Sequence, residues 1–323
     1  MQPGRSARSG MALIVALAAV VLAGGMALCM QARSAAIARA ERAEAEVELA
    51  RAAAAEAARE AIWILAADED LETDHLGEEW AQPRETTREG GLSTWAVVED
   101  AGRYFNWNNL AVSNRAARSQ REILSDLMMF CGDFAPAERV EAVADYVDAD
   151  GEGAYEDDRY RELGPGQAPA NRILWAPVEL TRAIGFSAED FRPRPPTSSD
   201  DVFGGDLSAA TAVVPVRLEE PLPINVNTAS REALLGVTGI EHDAAVRTVM
   251  ALREVKPFHS LGALSMANPE WAARIEGSVG TSSSIYRVRA RASLGGRHRT
   301  VLAWVRRDSA GDVRIVQWVE GGG

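Results

Sequence analysis

The chain has 323 residues, of which 47% are hydrophobic and 25% are charged, so it can bury a sizeable core and is long enough for two domains. Its 34 basic and 47 acidic residues give a formal net charge of −13, which argues against nonspecific nucleic-acid binding. Two cysteines, Cys29 and Cys131, are too few for a cysteine-rich zinc site or a multi-disulfide scaffold.

The N-terminus is a short basic leader followed by an apolar run. Residues 11–30 carry no charge, and twenty apolar residues match the thickness of a bilayer core. No glycine or proline follows until Gly77, and alanine, glutamate and arginine dominate. These are strong helix formers, so we predict one helix over 11–67 with a transmembrane part at 11–30. The leader predicts a cytoplasmic N-terminus and a periplasmic C-terminal domain.

Other interpretations of the apolar run remain open. A cleaved signal peptide could end at Ser34-Ala35-Ala36. A lipoprotein signal would use Cys29, but Leu28 stands where a small residue is wanted. A plain membrane anchor with a coiled-coil stalk is the third. A signal peptide normally ends in a helix break, and its absence here favours a retained helix.

The rest of the chain divides into two β-rich parts around a helical one. A strand at 92–98, a turn and a return strand at 103–107 predict a first hairpin within 68–109. Helical patterns then dominate 110–280, at 122–130, 136–147, 176–184, 230–235, 244–254 and 260–266. A proline- and glycine-rich loop spans 192–205. The last part, 281–323, holds strands at 285–292, 300–306 and 313–319.

This order predicts an α+β fold, in which the long N-terminal helix packs on one antiparallel sheet. The large all-α insertion then lies between the second and third strands. In the strand at 285–292, apolar residues alternate with arginines, which predicts one buried and one solvated face. The solvated face could meet an acidic partner.

The junction before the apolar run resembles a prepilin peptidase site, with cleavage between Gly10 and Met11. Type IV pilins and type II secretion pseudopilins share this arrangement, and most carry glutamate at the fifth mature position. Here that position is Val15. The pseudopilin that normally lacks this glutamate is the minor pseudopilin K.

Five further segments, in order along the chain, are similar to the minor pseudopilin K family of type II secretion systems (general secretion pathway protein K). They are Glu79-Trp80-Ala81-Gln82-Pro83, Asn106-Trp107-Asn108-Asn109-Leu110, Asp145-Tyr146-Val147-Asp148-Ala149-Asp150, Ala170-Asn171-Arg172 and Asn225-Val226-Asn227-Thr228-Ala229-Ser230. The resemblance implies a pilin-like, non-catalytic inner-membrane protein at the pseudopilus tip. Its partners would be the I- and J-type minor pseudopilins, the major pseudopilin and the prepilin peptidase, and its role the export of folded proteins across the outer membrane.

Residues 134–162 form the best candidate site, with ten acidic and three basic residues. Crowded oxygen ligands on a glycine-containing loop suit Ca²⁺, and the family resemblance implies calcium here. The candidate ligands are Asp145, Asp148, Asp150, Glu152, Glu156 and Asp157. A true EF-hand is excluded because its twelfth position is Arg159, not glutamate. A solvated acidic loop without a metal is the alternative.

Residues 224–264 resemble a helix-hairpin-helix repeat of DNA-uptake proteins. Such hairpins use Gly-x-Gly to bring backbone amides to a phosphate, but Glu241 follows Gly239-Ile240 here. A carboxylate repels phosphate, so we predict a packing module that binds no nucleic acid.

Enzyme motifs are absent from the sequence: it contains no H-E-x-x-H, no G-x-S-x-G and no P-loop. We therefore predict a non-enzymatic minor pseudopilin. The alternatives are a minor type IV pilin or adhesin, and a membrane-anchored DNA-uptake protein.

Overall fold

The computed structural model describes residues 5–112, 117–193, 205–271 and 273–322. One helix, α1 (Arg5–Ala66), extends through the leader and the apolar run without a break. Residues 11–30 are exposed along their whole length, whereas the second half of α1 has a buried stripe. The stripe consists mostly of alanines at three- and four-residue spacing, which lets the helix lie close to the sheet: Ala50, Ala53, Ala54, Ala58, Ala61 and Leu65.

A five-stranded antiparallel sheet packs on that stripe. Its strands are β1 (Arg84–Thr87), β2 (Ser93–Asp100), β7 (Ile285–Leu294), β8 (Arg297–Arg307) and β9 (Val313–Gly322), adjacent in that order. Small and β-branched side chains of the central strands face α1: Ala96, Val98, Val288, Ala290, Ala292, Val301, Ala303 and Val305. The predicted α+β fold, a long helix on an antiparallel sheet with a helical insertion, is confirmed.

The predicted first hairpin is wrong in its second strand. β2 pairs on one side with β1, which precedes it, and on the other side with β7. Residues 103–107 do not return along β2, because Asp100 ends that strand and accepts a hydrogen bond from the Gly102 amide at 2.6 Å. The chain then turns through two 3-10 helices, Ala101–Arg103 and Trp107–Ala111.

The insertion between β2 and β7 is mainly helical. Its helices are α2 (Gln120–Phe130), α3 (Ala137–Val147), α4 (Asp157–Leu163), α5 (Leu207–Ala210), α6 (Arg231–Thr238), α7 (Asp243–Val255) and α8 (Leu261–Ala267). The all-α prediction missed two parallel pairs of two-residue strands, β3 (Phe105–Asn106) with β4 (Thr211–Ala212) and β5 (Ile224–Asn225) with β6 (Val279–Gly280). These pairs form because distant ends of the insertion return beside each other.

One of the predicted helical segments differs in the structure. The one at 176–184 is a 3-10 helix, Pro177–Arg182, with a proline at its start. The predictions contain no counterpart of α4 or of the four-residue α5. Of the predicted loop at 192–205, residues 194–204 lie outside the described residues. The insertion has its own apolar core, built around Trp107, Phe130 and Trp271, separate from the core between α1 and the sheet.

A buried polar network joins the insertion to the sheet. The Asp100 carboxylate accepts hydrogen bonds from Asn225 Nδ2 at 2.8 Å and Thr228 Oγ1 at 2.5 Å. Asn225 Nδ2 also donates to the Asp74 carbonyl at 3.1 Å, and the Asp74 carboxylate pairs with Arg307 at 2.5 Å. These contacts connect the insertion to the sheet. We call the network of Asp74, Asp100, Asn225, Thr228 and Arg307 the polar clamp.

Near this network lies Glu78, a half-buried carboxylate. Its Oε2 accepts from the His75 amide at 2.6 Å and from Trp80 Nε1 at 3.0 Å. Burial, with the charges of Asp68 and Asp74 adding to it, raises the pKa of Glu78 to about 7. A carboxyl whose pKa is raised on folding favours the protonated state, so its contribution to stability falls as pH rises from the unfolded to the folded pKa.

We expect Glu78→Gln to remove this pH dependence, since glutamine keeps the acceptor oxygen without the charge. Between about pH 5 and pH 8, the free energy of unfolding of the wild type should fall relative to the variant, with the two equal at the acid end. Denaturant unfolding of the full chain at several pH values measures this. Glu79→Gln is the control, because the Glu79 side chain is 77% exposed; an equal effect there would contradict the prediction.

Candidate functional site

The candidate cation site lies where α3 ends and α4 begins. Asp145 is on the last turn of α3, Asp148 and Asp150 follow it, and Glu156 directly precedes α4. Carboxylate oxygens of Asp148, Asp150 and Glu156 lie within 4.8 Å of one another. We call these three residues the carboxylate triad. The predicted acidic segment thus folds back on itself within twelve residues.

Asp145 lines the same loop but faces it from the protein side. It is buried, and its Oδ2 accepts a hydrogen bond from the Tyr155 amide at 3.0 Å. Gly153 lies directly against this carboxylate, and a Cβ atom at that position would collide with it. A glycine at position 153 permits this close approach, which holds the loop next to Asp145.

Two of the triad carboxyls, those of Asp148 and Glu156, have raised pKa values. Burial, followed by the charges of Asp150, Asp145 and Glu156, raises the pKa of Asp148 to about 6. Burial also raises the pKa of Glu156. Asp148 Oδ1 and Glu156 Oε1 are buried without a hydrogen-bond partner among the described residues. Such oxygens are costly unless something binds them.

Arg121, on α2, supplies part of the missing positive charge. Its guanidinium lies 2.9 Å from Glu141, 3.6 Å from Asp148 Oδ2 and 3.9 Å from Asp145 Oδ1. It therefore approaches Asp148 through the oxygen opposite the unpartnered Oδ1. Sequence reasoning missed this arginine, which lies more than twenty residues before the acidic loop.

The other two candidate ligands lie apart from the triad. Glu152 and Asp157 are exposed. Glu152 donates its amide to Asp150 Oδ1 at 2.8 Å, and Asp157 is the first residue of α4. Asn171, which was not among the candidate ligands, adopts a left-handed backbone with φ of 46°. Asparagine tolerates that conformation better than most residues. Burial raises the pKa of Glu156, and a side-chain hydrogen bond with Asn171 offsets only part of that rise.

The N-terminal site residues all lie on α1. Gly10 and Met11 are within the helix, and the Met11 and Val15 side chains are exposed. The segment of α1 starting at Met11 is long and apolar enough to cross a membrane, and its apolar part is not buried by the rest of the protein. This fits a single-pass membrane anchor.

The helix-hairpin-helix-like part consists of α6, a tight turn and α7. Gly239 begins the turn with φ of 102°, and the Glu241 carboxylate lies against it. A hydrogen bond from its own backbone amide and the charge of Arg274, 2.9 Å away, lower the pKa of Glu241. The carboxylate therefore takes the hairpin amide that a DNA phosphate would need.

Neither a protein-family model nor a curated protein sequence matches the chain. Among solved structures, it is similar to the GspK subunit in the crystal structure of the GspK-GspI-GspJ complex from the type 2 secretion system of enterotoxigenic Escherichia coli. The TM-score is 0.65 at 18% identity, and the match covers 87% of this chain and 99% of that chain. The likeness establishes a shared fold, including the helix, the sheet and the insertion, and bears out the resemblance at that level.

We expect the full chain to show no salt-sensitive retention on duplex DNA, because Glu241 occupies the hairpin amide and the net charge is −13. Retention on a DNA column between about 50 and 200 mM salt measures this. Glu241→Gly, which frees the amide, is the informative variant. Wild-type binding that weakens steeply with salt would contradict the prediction.

Proposed function

We propose that the chain is a minor pseudopilin of a type II secretion system, acting at the pseudopilus tip in complex with the I- and J-type minor pseudopilins. The observation that supports this most is the extent of the structural match, which takes in 99% of a subunit solved with GspI and GspJ. A shared pilin-like core alone would cover much less, since the insertion between β2 and β7 makes up more than half of the chain.

The proposed mechanism is assembly. The exposed apolar part of α1 anchors the subunit in the inner membrane and packs beside the equivalent helices of its partners, with the C-terminal domain in the periplasm. Val15 in place of glutamate removes a charge that would otherwise need a partner in the membrane. An insertion this large beside α1 would obstruct a uniform filament but is accommodated at its end. None of these steps needs a catalytic group.

Intact mass spectrometry tests this assignment. Co-expressed with a prepilin peptidase, the chain should lose Met1 to Gly10 and begin at Met11. Gly10→Val should remain uncut because its bulk blocks the cleavage site, whereas Ser9→Val, one residue away, should be processed. A mature chain that begins near Ile37 or is never cut would contradict the proposal. If the chain is cleaved at this site but forms a complex only with type IV pilus subunits, the minor type IV pilin is favoured instead.

We further propose that the carboxylate triad binds Ca²⁺. The donor set fits: it provides only oxygens, two of them buried without partners, beside Asp145 on a loop closed by Gly153. Asp148, Asp150 and Glu156 would hold the ion, with Asp145 as a further carboxylate at its side. A bound divalent cation neutralises the repulsion among these groups and fixes the connection between α3 and α4.

We expect Ca²⁺ to raise the melting temperature of the full chain, because a ligand that binds only the folded state adds about 2.7 kcal/mol at one hundred times its Kd. Asp148→Asn and Asp150→Asn should abolish the shift. Glu152→Gln and Asp157→Asn should retain it, since these exposed residues lie outside the triad. Differential scanning fluorimetry with Ca²⁺ or chelator measures it; a wild type that does not respond would leave a solvated acidic loop.

A further inference from the structure

The two edges of the sheet differ. β1 is short, with four residues, two of them charged (Arg84 and Glu85), which discourages further pairing. β9 has ten residues, of which two are charged (Arg314 and Glu320) and none is proline, and no described strand pairs with its outer side. Ile315, Val316 and Val319 are 49%, 42% and 46% exposed. A long edge with exposed apolar side chains is a template for another strand unless something covers it.

A cleft opens beside this edge, on the face of the sheet opposite α1. Leu302, Trp304, Gln317 and Val319 form its floor. The insertion supplies the opposite wall, with Trp175, Pro177, Leu180, Phe191 and Val213. The cavity has a volume of about 650 Å³, mainly apolar, which accommodates one or two large side chains. Trp175 is 51% exposed at its mouth.

The sheet face around the cleft is basic, although the chain is acidic. The register places Arg287 opposite Trp304, Arg289 opposite Leu302 and Arg306 opposite Arg314, all on the face away from α1. Arg287 and Arg289 share one carboxylate, Glu99. Arg306 has no carboxylate within 4.0 Å among the described residues, and Arg314 has only Asp308, at 4.0 Å. The charge here selects an acidic occupant.

We propose that β9 is the docking edge for an extended segment of an I- or J-type minor pseudopilin, which adds a strand to the sheet. This inference rests on the proposed function. Every second side chain of the added strand faces the cleft, and a large apolar one enters between Trp175 and Val319. Carboxylates of the segment reach Arg306 and Arg314. Main-chain hydrogen bonds supply affinity, and the cleft and arginines supply selectivity.

Hydrogen exchange on the full chain tests this, alone and in the detergent-solubilised complex with its co-expressed I- and J-type partners. Amide exchange in 313–322 should slow by about tenfold or more on complex formation. Exchange in β1, the other edge, should stay unchanged. Trp175→Asp and Arg306→Glu should each weaken the complex by about tenfold.

Matched controls are available for both variants. Val178→Asp alters a residue that is 70% exposed, close to Trp175 in sequence and outside the cleft lining. Arg291→Glu reverses an exposed arginine on the same sheet face, opposite Thr300 rather than at the cleft. Neither should weaken the complex by more than about twofold.

A complex that forms without protecting β9 would overturn the docking edge and leave the proposed function intact. Failure of any complex to form would overturn both, and the mass measurement would then show whether the chain is still pilin-like. Protection of β9 in the isolated chain that grows with its concentration would assign the edge to a second copy and also overturn the inference.

Discussion

The structure depends on a buried polar clamp at the point where the insertion leaves and rejoins the sheet. Both crossings occur within a few residues of Asp100, which ends β2, and Ser283, which precedes β7. Ser283 donates its amide to Asp74 Oδ2 at 2.6 Å, and Gly102, Asn225 and Thr228 donate to Asp100. Burial raises the pKa of Asp100, and the hydrogen bonds donated to it oppose that rise.

The clamp also carries a cost that a purely apolar junction would avoid. Burial raises the pKa of Asp74 to about 6 even though Arg307 lies beside it, so the ion pair does not fully repay the loss of hydration. Buried polar networks of this kind are poor sources of stability but restrict the geometry that satisfies every donor and acceptor. The cleft needs a fixed orientation of the insertion relative to the sheet, because the sheet forms its floor and the insertion forms its wall.

Sequence patterns sufficed where one periodicity decided the structure. The uninterrupted run of helix formers predicted α1, and alternating arginines predicted β7 with its solvated face. β1 was missed because Arg84, Glu85, Thr86 and Thr87 have no apolar alternation; they form a strand only because β2 offers them an edge. The same holds for the two-residue strands of the insertion, whose partners lie far apart in the chain.

The candidate cation site shows the same division. Proximity of Asp148, Asp150 and Glu156 could be predicted, since only nine residues span them and Gly151 and Gly153 allow the turn. The sequence could not predict which of these carboxylates face inward. Their orientation depends on where α4 begins and on the approach of Gly153 to Asp145. The contributions of Arg121 and Asn171 come from distant segments and have no local signal.

The insertion carries an acidic loop, whereas the sheet face away from α1 is basic. The acidic loop lies on the insertion, where a divalent cation can lower its repulsion. Arg306, which has no carboxylate within 4.0 Å among the described residues, and Arg314 lie on the sheet face at β9, the longer of the two edges of the described sheet. A partner strand that carries carboxylates would therefore be attracted to the sheet and repelled by the acidic loop. Charge alone would thus bring such a strand to β9 and not to the insertion, before any apolar contact forms in the cleft.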